Sequence, residues 1–327
     1  MISVAMAVYN GEEYIEKQLY SIVNQTLVPD EIVITDDSDN DKTYNIIKKF
    51  INEYCSIKWN YVRNDEHLGY CKNFFKAISL TNGDIIFLSD QDDIWHKEKI
   101  SKMSKCINSN SNIQCLCSKY ICIDKNDKII SSIHEYSTSL YYKKNSKNNQ
   151  YFRLDKEEYF KILAFPGFCF AITKSLKDKL HDFLVNVSIE NIKYHDLIIS
   201  YLAARENAFY IYNESLNQYR MHGDNAIGIE DFNKGNKQDR VEWINNILKN
   251  QIDLYSYENI IQLNPKPIIN INENLLILNK LIRLNTMRIE YLKNKQLLKM
   301  LCLVFRKKYY LSIKSYLGDM NYILKCG

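Results

Sequence analysis

The chain has 327 residues, of which 46% are hydrophobic and 25% charged, a composition that is typical of a globular protein and excludes wholesale disorder. Its longest apolar runs, such as Leu297–Phe305, are far shorter than the roughly 20 residues of a transmembrane helix, which argues against an integral membrane protein. A formal net charge of only +4 argues against a chain that binds nucleic acid along its whole length.

The first third of the chain alternates strand and helix patterns. Ile2–Val8 is an apolar run that predicts a strand, and the start lacks the basic n-region of a signal peptide, so we expect a cytoplasmic protein. Glu12–Gln25 has apolar residues at helical spacing. The alternation continues with predicted strands at Glu31–Thr35, Ile57–Arg63 and Asp84–Ser89 and predicted helices at Lys42–Tyr54 and Tyr70–Leu80. Such βαβ repetition predicts a parallel sheet with helices on both faces.

The middle of the chain mixes shorter elements. Gln114–Ile123 and Lys128–Ile133 predict a hairpin. Further predicted elements are a strand at Phe168–Thr173, a helix at His195–Ala204 and two short strands at Tyr210–Tyr212 and Ser215–Arg220. The nine cysteines are odd in number and form no CxxC motif, which favours buried reduced thiols over a metal site.

The C-terminal part predicts helices at Arg240–Gln262, Asn272–Asn294 and Leu297–Leu317. We therefore predict two regions, an α/β domain over residues 1–225 and a helical appendage over residues 226–327. Residues 281–327 hold ten Lys and Arg against two Asp and Glu. Such basic helices suit an anionic membrane surface, here the inner face of the cell membrane, or they pack on the first domain or on a second subunit of a homo-oligomer. The sequence leaves these alternatives open.

Polar clusters follow three of the predicted parallel strands. They are Tyr9-Asn10-Gly11, Asp36-Asp37 and Asp90-Gln91-Asp92-Asp93. Open α/β sheets bind ligands at the carboxyl ends of their strands. One polar strand end has little meaning by itself, but three that meet at one edge of a sheet predict a binding site.

The acidic cluster after the fourth strand has two interpretations. Asp90 and Asp92, two residues apart after a buried strand, can turn toward one point and hold Mg²⁺ or Mn²⁺ through oxygen ligands. A cation placed there could bridge the two phosphates of a nucleotide diphosphate. Alternatively, Asp92 or Asp93 caps a helix predicted over Trp95–Ile107. The two roles can coexist.

The other two clusters are also ambiguous. Asn10 and Gly11 suit an ordinary turn, and Asp37 suits a turn or a cap. The functional alternative is that a carboxylate of the Asp36-Asp37 pair accepts hydrogen bonds from a base or a ribose.

In combination these segments resemble a known family. VAMAVYNGEEYIEKQLYSIVNQT, EIVITDDSD, RNDEHLGYCKNFFKAI and GDIIFLSDQDDIW are similar to the nucleotide-sugar domain of inverting family 2 glycosyltransferases with the GT-A fold. The segments SDQDDIW and, later, QYRMHGDN are most similar to those of bacterial rhamnosyltransferase-like members, which build surface polysaccharides. The resemblance covers about residues 1–225 and implies a Rossmann-like nucleotide-sugar-binding sheet flanked by helices.

The resemblance implies a role for each of several residues. Asp90 would face the ribose or the metal, and Asp92 would be the principal metal ligand. Arg220 and His222 would reach the metal or the diphosphate, with His222 taken as a metal ligand and Arg220 as a donor-binding residue. The residues expected near the base and ribose are Tyr9, Asn10, Asp37 and Arg63.

The resemblance also implies that Asp196, in Tyr194-His195-Asp196, is the catalytic base. A histidine stands here where an acidic partner is common in the family. The first turn of a helix favours an ionised carboxylate, and the alternative is that Asp196 only caps that helix. An inverting transfer needs one carboxylate to take the proton of the acceptor hydroxyl, while a metal stabilises the leaving diphosphate.

We therefore expect an Mn²⁺- or Mg²⁺-dependent inverting glycosyltransferase. Its donor would be a UDP- or dTDP-sugar, and its acceptor a glycan or a lipid-linked oligosaccharide. One alternative is a catalytically inactive sugar-binding or scaffold subunit. A nucleotidyltransferase is disfavoured, because the loop Tyr-Asn-Gly-Glu-Glu-Tyr after the first strand lacks the basic residue that would cradle a triphosphate.

Overall fold

The computed structural model describes residues 1–131, 145, 149–163, 165–223, 240–262, 271–303 and 313–326. The chain divides into two compact units: residues 1–134, 150–153 and 165–222 form the first, and residues 135–149, 154–164 and 223–327 form the second. The domain boundary predicted near residue 225 lies outside the described residues and stays a prediction.

The first unit is built on a mixed sheet. Its described strands are β1 Ile2–Val8, β2 Glu31–Asp36, β3 Lys58–Arg63, β4 Ile85–Ser89, β5 Ile94–Trp95, β6 Cys115–Ile123, β7 Ile129–Ser131, β8 Tyr151–Arg153, β9 Phe170–Thr173 and β10 Phe209–Arg220. The order along the sheet is β3-β2-β1-β4-β9-β6-β10-β5, with β7 on β6 and β8 on β10. The predicted parallel sheet is confirmed for β3, β2, β1 and β4, whereas β9 runs antiparallel to both of its neighbours.

The described helices, in chain order, are α1 Ile15–Val23, α2 Lys42–Glu53, α3 Tyr70–Leu80, α4 Lys99–Ser109, α5 Lys156–Ile162, α6 Lys174–Asn186, α7 His195–Ala204, α8 Arg240–Gln262, α9 Ile271–Lys293, α10 Leu297–Cys302 and α11 Ile313–Cys326. In α1 the apolar residues at helical spacing are buried, among them Ile15, Leu19 and Ile22. The amphipathic pattern therefore gives both the helix and the face that packs on the sheet.

One prediction near the acidic cluster is wrong. Trp95 does not open a helix but lies in β5, where it is buried and pairs with Asn217 of β10. The helix begins only at Lys99, so neither Asp92 nor Asp93 caps it. Tertiary pairing with β10 fixes Trp95 in an extended conformation that the sequence around it does not indicate.

Two other predictions concern β-structure. The hairpin of β6 and β7 is confirmed, with its strands antiparallel. The two short strands predicted at Tyr210–Tyr212 and Ser215–Arg220 are one strand, β10, whose register against β6 shifts twice between Tyr212 and Asn217. Such an irregularity interrupts the alternation of side chains, which is why the sequence indicates a break.

The second unit is helical in its described parts. A buried cluster joins α8 to α11, with Ile244, Leu284 and Ile323 among its residues. Arg288 of α9 donates from Nε to Asp319 Oδ2 of α11 at 2.8 Å, and both residues are buried. The helix predicted over Leu297–Leu317 ends earlier, at Cys302, and the next described helix begins at Ile313. None of the described helices has the length and apolar composition required to cross a bilayer.

Candidate active site

The three polar clusters predicted from sequence meet at one edge of the sheet. β1 lies between β2 and β4, and all three strands run in parallel. The last pairs of the ladders, Val8 with Asp36 and Met6 with Ser89, stand directly before the loops that begin at Tyr9, Asp37 and Asp90. The parallel topology therefore brings these loops together, as their positions at strand ends predict.

Three carboxylates crowd the loop after β4. Asp90, Asp92 and Asp93 each offer an oxygen, and the three oxygens lie within 4.8 Å of one another. Burial, together with the neighbouring charges of Asp92 and Asp196, raises the pKa of Asp90 to about 8. Burial and the same crowding raise the pKa of Asp93 well above its usual range. Like charges in a desolvated loop cannot all stay ionised without a compensating cation.

This cluster fits a divalent cation. Asp93 is fully buried, and its Oδ2 has no hydrogen-bond partner among the described residues. Burial of a carboxylate oxygen that accepts no hydrogen bond is unfavourable unless a bound ligand supplies the missing interaction. Carboxylate oxygens are the donors that Mg²⁺ and Mn²⁺ prefer. The residues present therefore suit the metal that the sequence predicts, with Asp93 as a member that the sequence interpretation did not include.

The end of β10 completes this side of the site. His222 Nε2 lies 2.9 Å from Asp92 Oδ2, so the structure brings together the two residues expected to bind metal. Arg220 is fully buried, and its guanidinium donates to the backbone oxygens of Asp92 at 2.8 Å and Asp124 at 3.1 Å and to the carboxylate of Asp127. The hydrogen bond to Asp92 O fixes the backbone of the acidic loop. Binding of the donor by Arg220 stays a prediction.

The loop after β1 is held by the acidic loop. Gln91 accepts a hydrogen bond from Tyr9 N and donates one to Tyr9 O, each at 2.9 Å. A side chain on Gly11 would meet this amide, since a Cβ there would lie 2.3 Å from Gln91 Oε1. Asn10 has a φ of 46°, and its backbone N–H donates to Ser38 Oγ at 2.8 Å. Tyr9 and Asn10 are thus bonded to the loops after β4 and β2, respectively, and Tyr9 is 45% exposed.

Asp37 directly follows β2, and Arg63 is the last residue of the adjacent strand β3; their role in binding a nucleoside stays a prediction. The Asp37 carboxylate accepts hydrogen bonds from Gly69 N at 2.9 Å and Leu68 N at 3.2 Å, and His67 Nδ1 lies 3.7 Å from it. It therefore orders the loop before α3. The Arg63 guanidinium is partly exposed, pairs with Asp41 and donates to Ser38 O at 3.1 Å.

Asp196 lies in the first turn of α7, as predicted, and its charge interacts with that of Asp90. Its Oδ1 accepts the N–H of Leu197 at 2.8 Å. Burial raises the pKa of Asp196 to about 6, although the backbone amides of Leu197 and Gly167 pull it down. The helix terminus alone predicts an ionised carboxylate, but desolvation is the larger effect here. A pKa near 6 is suited to a base that works near neutral pH.

His195, which precedes Asp196, is buried and carries no charge near neutral pH. Burial lowers its pKa to about 3. Its ring stacks on Phe74 with centroids 4.1 Å apart, and neither ring nitrogen has a hydrogen-bond partner among the described residues. A Cβ on Gly167 would lie 2.6 Å from His195 Nε2. The histidine therefore adds a packed neutral ring beside Asp196, where an acidic side chain would add a second negative charge.

Sequence reasoning missed two residues of this site, Asp93 as a possible ligand and Gln91, and it did not predict the burial of Lys99. Asp93 adjoins Asp92 in the same run, so adjacency was an available signal. Gln91 bonds to a residue 82 positions away, and Lys99 is fully buried in a helix that looks polar on one face. For these two residues the sequence offers no signal.

Comparison with known sequences identifies relatives of this chain. Residues 3–180 match the family described as Glycosyl transferase family 2. The dTDP-rhamnosyl transferase RfbG of Shigella flexneri is 33% identical over 235 residues, which are 68% of this chain and 73% of that protein. The abequosyltransferase RfbV of Salmonella typhimurium is 33% identical over 121 residues, 36% of each chain.

Comparison with solved structures supports the fold. S. aureus TarS 1-349 in complex with UDP has a TM-score of 0.56 at 15% identity, covering 100% of this chain and 92% of that one. The same protein in complex with UDP-GlcNAc has a TM-score of 0.57 at 14% identity, covering 98% and 89%. At such identities the likeness concerns the fold alone.

Proposed function

This chain belongs to glycosyl transferase family 2, and we propose that it moves a sugar from a UDP- or dTDP-linked donor to a hydroxyl group of a glycan acceptor, with inversion, during synthesis of a surface polysaccharide. The observation that carries this proposal is the acidic loop Asp90, Asp92 and Asp93 beside His222, with Asp196 close enough to act on its electrostatics. A cation site and a single carboxylate base are what this reaction requires.

Mn²⁺ or Mg²⁺ would be held in this site by Asp92 and His222, together with either Asp90 or Asp93. When bound, the cation supplies positive charge that stabilises the leaving nucleoside diphosphate. Arg220 keeps the acidic loop in place by donating to Asp92 O. Asp90 offers an oxygen within 4.8 Å of those of Asp92 and Asp93, and we assign it to the ribose or the metal.

Asp196 acts as the base. Its carboxylate takes the proton of the acceptor hydroxyl while the acceptor oxygen bonds to the anomeric carbon and the bond from that carbon to the diphosphate breaks. The proton then passes to solvent. The hydrogen bond from Leu197 N at 2.8 Å holds Oδ1 of this carboxylate in place.

The loops after β1 and β2 would bind the nucleoside. We assign Tyr9 and Asn10 to one wall of this subsite and Asp37 and Arg63 to the other, because they lie at the carboxyl ends of adjacent parallel strands. We favour dTDP-rhamnose as the donor, because a relative whose match spans 68% of this chain is named a dTDP-rhamnosyl transferase. UDP-sugars stay in the proposal, since the TarS complexes contain UDP and UDP-GlcNAc.

The proposal is tested by release of nucleoside diphosphate from a panel of donors that includes dTDP-rhamnose and UDP-GlcNAc, with Mn²⁺, Mg²⁺ or EDTA. We expect turnover of at least one donor, lost in EDTA and restored by metal. Asp92→Ala should abolish metal-dependent binding of dTDP or UDP by calorimetry, while Asp182→Asn, at an exposed aspartate of α6, should bind as the unaltered protein does. A chain that neither binds these nucleotides nor turns over any donor would contradict the enzyme assignment.

We also propose that the basic C-terminal region meets an anionic membrane surface on the cytoplasmic side. The support is its charge, with ten basic and two acidic residues over positions 281–327. Such a contact would keep the enzyme beside a lipid-linked acceptor. Packing of these helices on a second copy of the chain is the alternative.

A further inference from the structure

The first unit contains a fully buried lysine for which the proposed chemistry has no role. Lys99, the first residue of α4, has no exposed surface. Its Nζ donates to Phe168 O at 2.8 Å and to Asn217 Oδ1 at 2.7 Å, and it lies 3.7 Å from the centroid of the Trp95 ring. Among the described residues it forms no ion pair, and burial lowers its pKa to about 7. Burying an ammonium group in this way is unfavourable.

A methionine would fill the same space without that desolvation cost. What it could not do is donate hydrogen bonds to two acceptors in different parts of the chain. The contacts of Lys99 therefore matter more than its volume, and its two partners lie 49 residues apart in sequence.

The first partner belongs to the part of the site that holds the base. Phe168 lies in the short helical turn Gly167–Cys169. The backbone amide of Gly167, one residue before Phe168, lowers the pKa of the Asp196 carboxyl. A Cβ on Gly167 would lie 3.3 Å from Asp196 Cβ, so this turn is in direct contact with the start of α7. A shift of Phe168 would therefore move the base.

The second partner belongs to the part that holds the acidic loop. Asn217 of β10 pairs with Trp95 of β5. Trp95 lies only two residues after Asp93 of the acidic loop. Three residues beyond Asn217, the backbone N–H of Arg220 donates to Asp93 Oδ1 at 3.1 Å. Lys99 also lies over the Trp95 ring, so it contacts this part twice.

We propose that Lys99 is a positioning residue for sugar transfer, which holds the turn at Phe168, and with it Asp196, at a fixed separation from the acidic loop through Asn217 and Trp95. This inference rests on the proposed function. Geometry of this kind matters because a displacement of about 1 Å between reacting groups can lower a rate by roughly a hundredfold. Nucleotide binding involves the loops after β1, β2 and β4, and among the described residues Lys99 donates no hydrogen bond to any of these loops.

The test compares Lys99→Met with Lys102→Met, which removes a lysine of the same helix whose partners are the surface residues Glu98 and Glu214. Binding of dTDP and UDP with Mn²⁺ is measured by calorimetry, and hydrolysis is measured with the donor of the panel that the unaltered protein turns over fastest. For Lys99→Met we expect nucleotide affinity and donor KM within about threefold of the unaltered protein and a kcat lowered roughly 30- to 100-fold. Lys102→Met should keep kcat.

Lys99→Gln is the second variant, because its amide can still donate to one acceptor, and its kcat should fall between the other two. If Lys99→Met does not fold, Lys99→Gln alone decides: a lowered kcat at unchanged donor KM supports the inference. A kcat within threefold of the unaltered protein overturns it, and so does a parallel loss of kcat and nucleotide affinity, which indicates a merely structural residue. If the unaltered protein itself binds neither nucleotide, the proposed function fails rather than this inference.

Discussion

At the scale of single residues, the proposed mechanism makes the desolvated carboxylate of Asp196 the group that sets the pH dependence of kcat. Its pKa of about 6 lies above the ordinary value of 3.8 because burial penalises the ionised form. A base must be ionised, so the active fraction falls as the pH drops through 6, about tenfold per pH unit below it. We expect kcat for donor turnover to show an acid limb with its midpoint near pH 6.

Asp196→Asn supplies the check on this limb. The variant should bind dTDP or UDP normally, lose on the order of a thousandfold in kcat and show no acid limb near pH 6. Asp182→Asn, at an exposed aspartate of α6, should keep both the limb and the rate. Transfer retained in Asp196→Asn would exclude Asp196 as the base.

A second residue-scale prediction concerns Gly11. In Gly11→Ala the new Cβ takes the place of the Gln91 amide, 2.3 Å away, and the two hydrogen bonds to Tyr9 are lost. Each such bond contributes about 1 kcal/mol net. We expect the variant to fold and to bind dTDP or UDP roughly tenfold more weakly by calorimetry, because the loop that carries Tyr9 is no longer anchored.

Gln91→Ala should weaken binding by a similar factor, because it removes the same pair of hydrogen bonds without crowding Gly11. The double variant should then be no worse than either single one, since both changes remove one interaction. Losses that add in the double variant would show that Gly11 acts through something other than Gln91.

At the scale of elements, one glutamate at the edge opposite the site links three parallel strands. Glu31 of β2 is fully buried and accepts hydrogen bonds from Ser3 Oγ of β1 at 2.7 Å, from Lys58 Nζ of β3 at 3.0 Å and from the backbone and side chain of Asn82. Burial alone would raise its pKa, but these hydrogen bonds outweigh burial and lower the pKa to about 2. The ionised side chain therefore stabilises the register of β1, β2 and β3.

The sign of the pH effect follows from this lowered pKa. Because Glu31 titrates lower in the folded chain than the ordinary 4.5, its stabilisation is present above pH 4.5 and is lost as the pH falls toward 2. Glu31→Gln should lower the free energy of unfolding by roughly 2–3 kcal/mol at pH 7 and flatten its dependence on pH between 4.5 and 2. Urea unfolding measures both, with Glu16→Gln at an exposed site of α1 as the control. Equal curves for the two variants would contradict the role of Glu31.

At the scale of the whole molecule, the question is whether the basic C-terminal region binds lipid. Changing Arg306, Lys307 and Lys308 to Gln should reduce binding of the full chain to vesicles that contain phosphatidylglycerol by tenfold or more, at about 1 kcal/mol per basic residue near the surface. Binding should also weaken in high salt. Co-sedimentation with vesicles measures the effect.

The matched control removes the same charge elsewhere, by changing the exposed Lys48, Lys49 and Lys105 to Gln. It should bind vesicles as the unaltered chain does. If neither set changes binding, or if the unaltered chain does not bind anionic vesicles, the membrane proposal is wrong. Light scattering then tests the alternative, a second copy of the chain.

The parallel strands, most helices and the residues at the strand ends could be predicted from the sequence, because strand periodicity, helical spacing and polar termini are local properties of the chain. The placement of Asp92, Asp37 and Asp196 followed from these patterns and from family resemblance. Trp95 was predicted wrongly because its conformation is decided by pairing with Asn217. The pKa of Asp196, the neutrality of His195 and the buried contacts of Lys99 were decided by tertiary structure alone. Desolvation depends on what packs around a group, and the sequence does not state which distant residues those are.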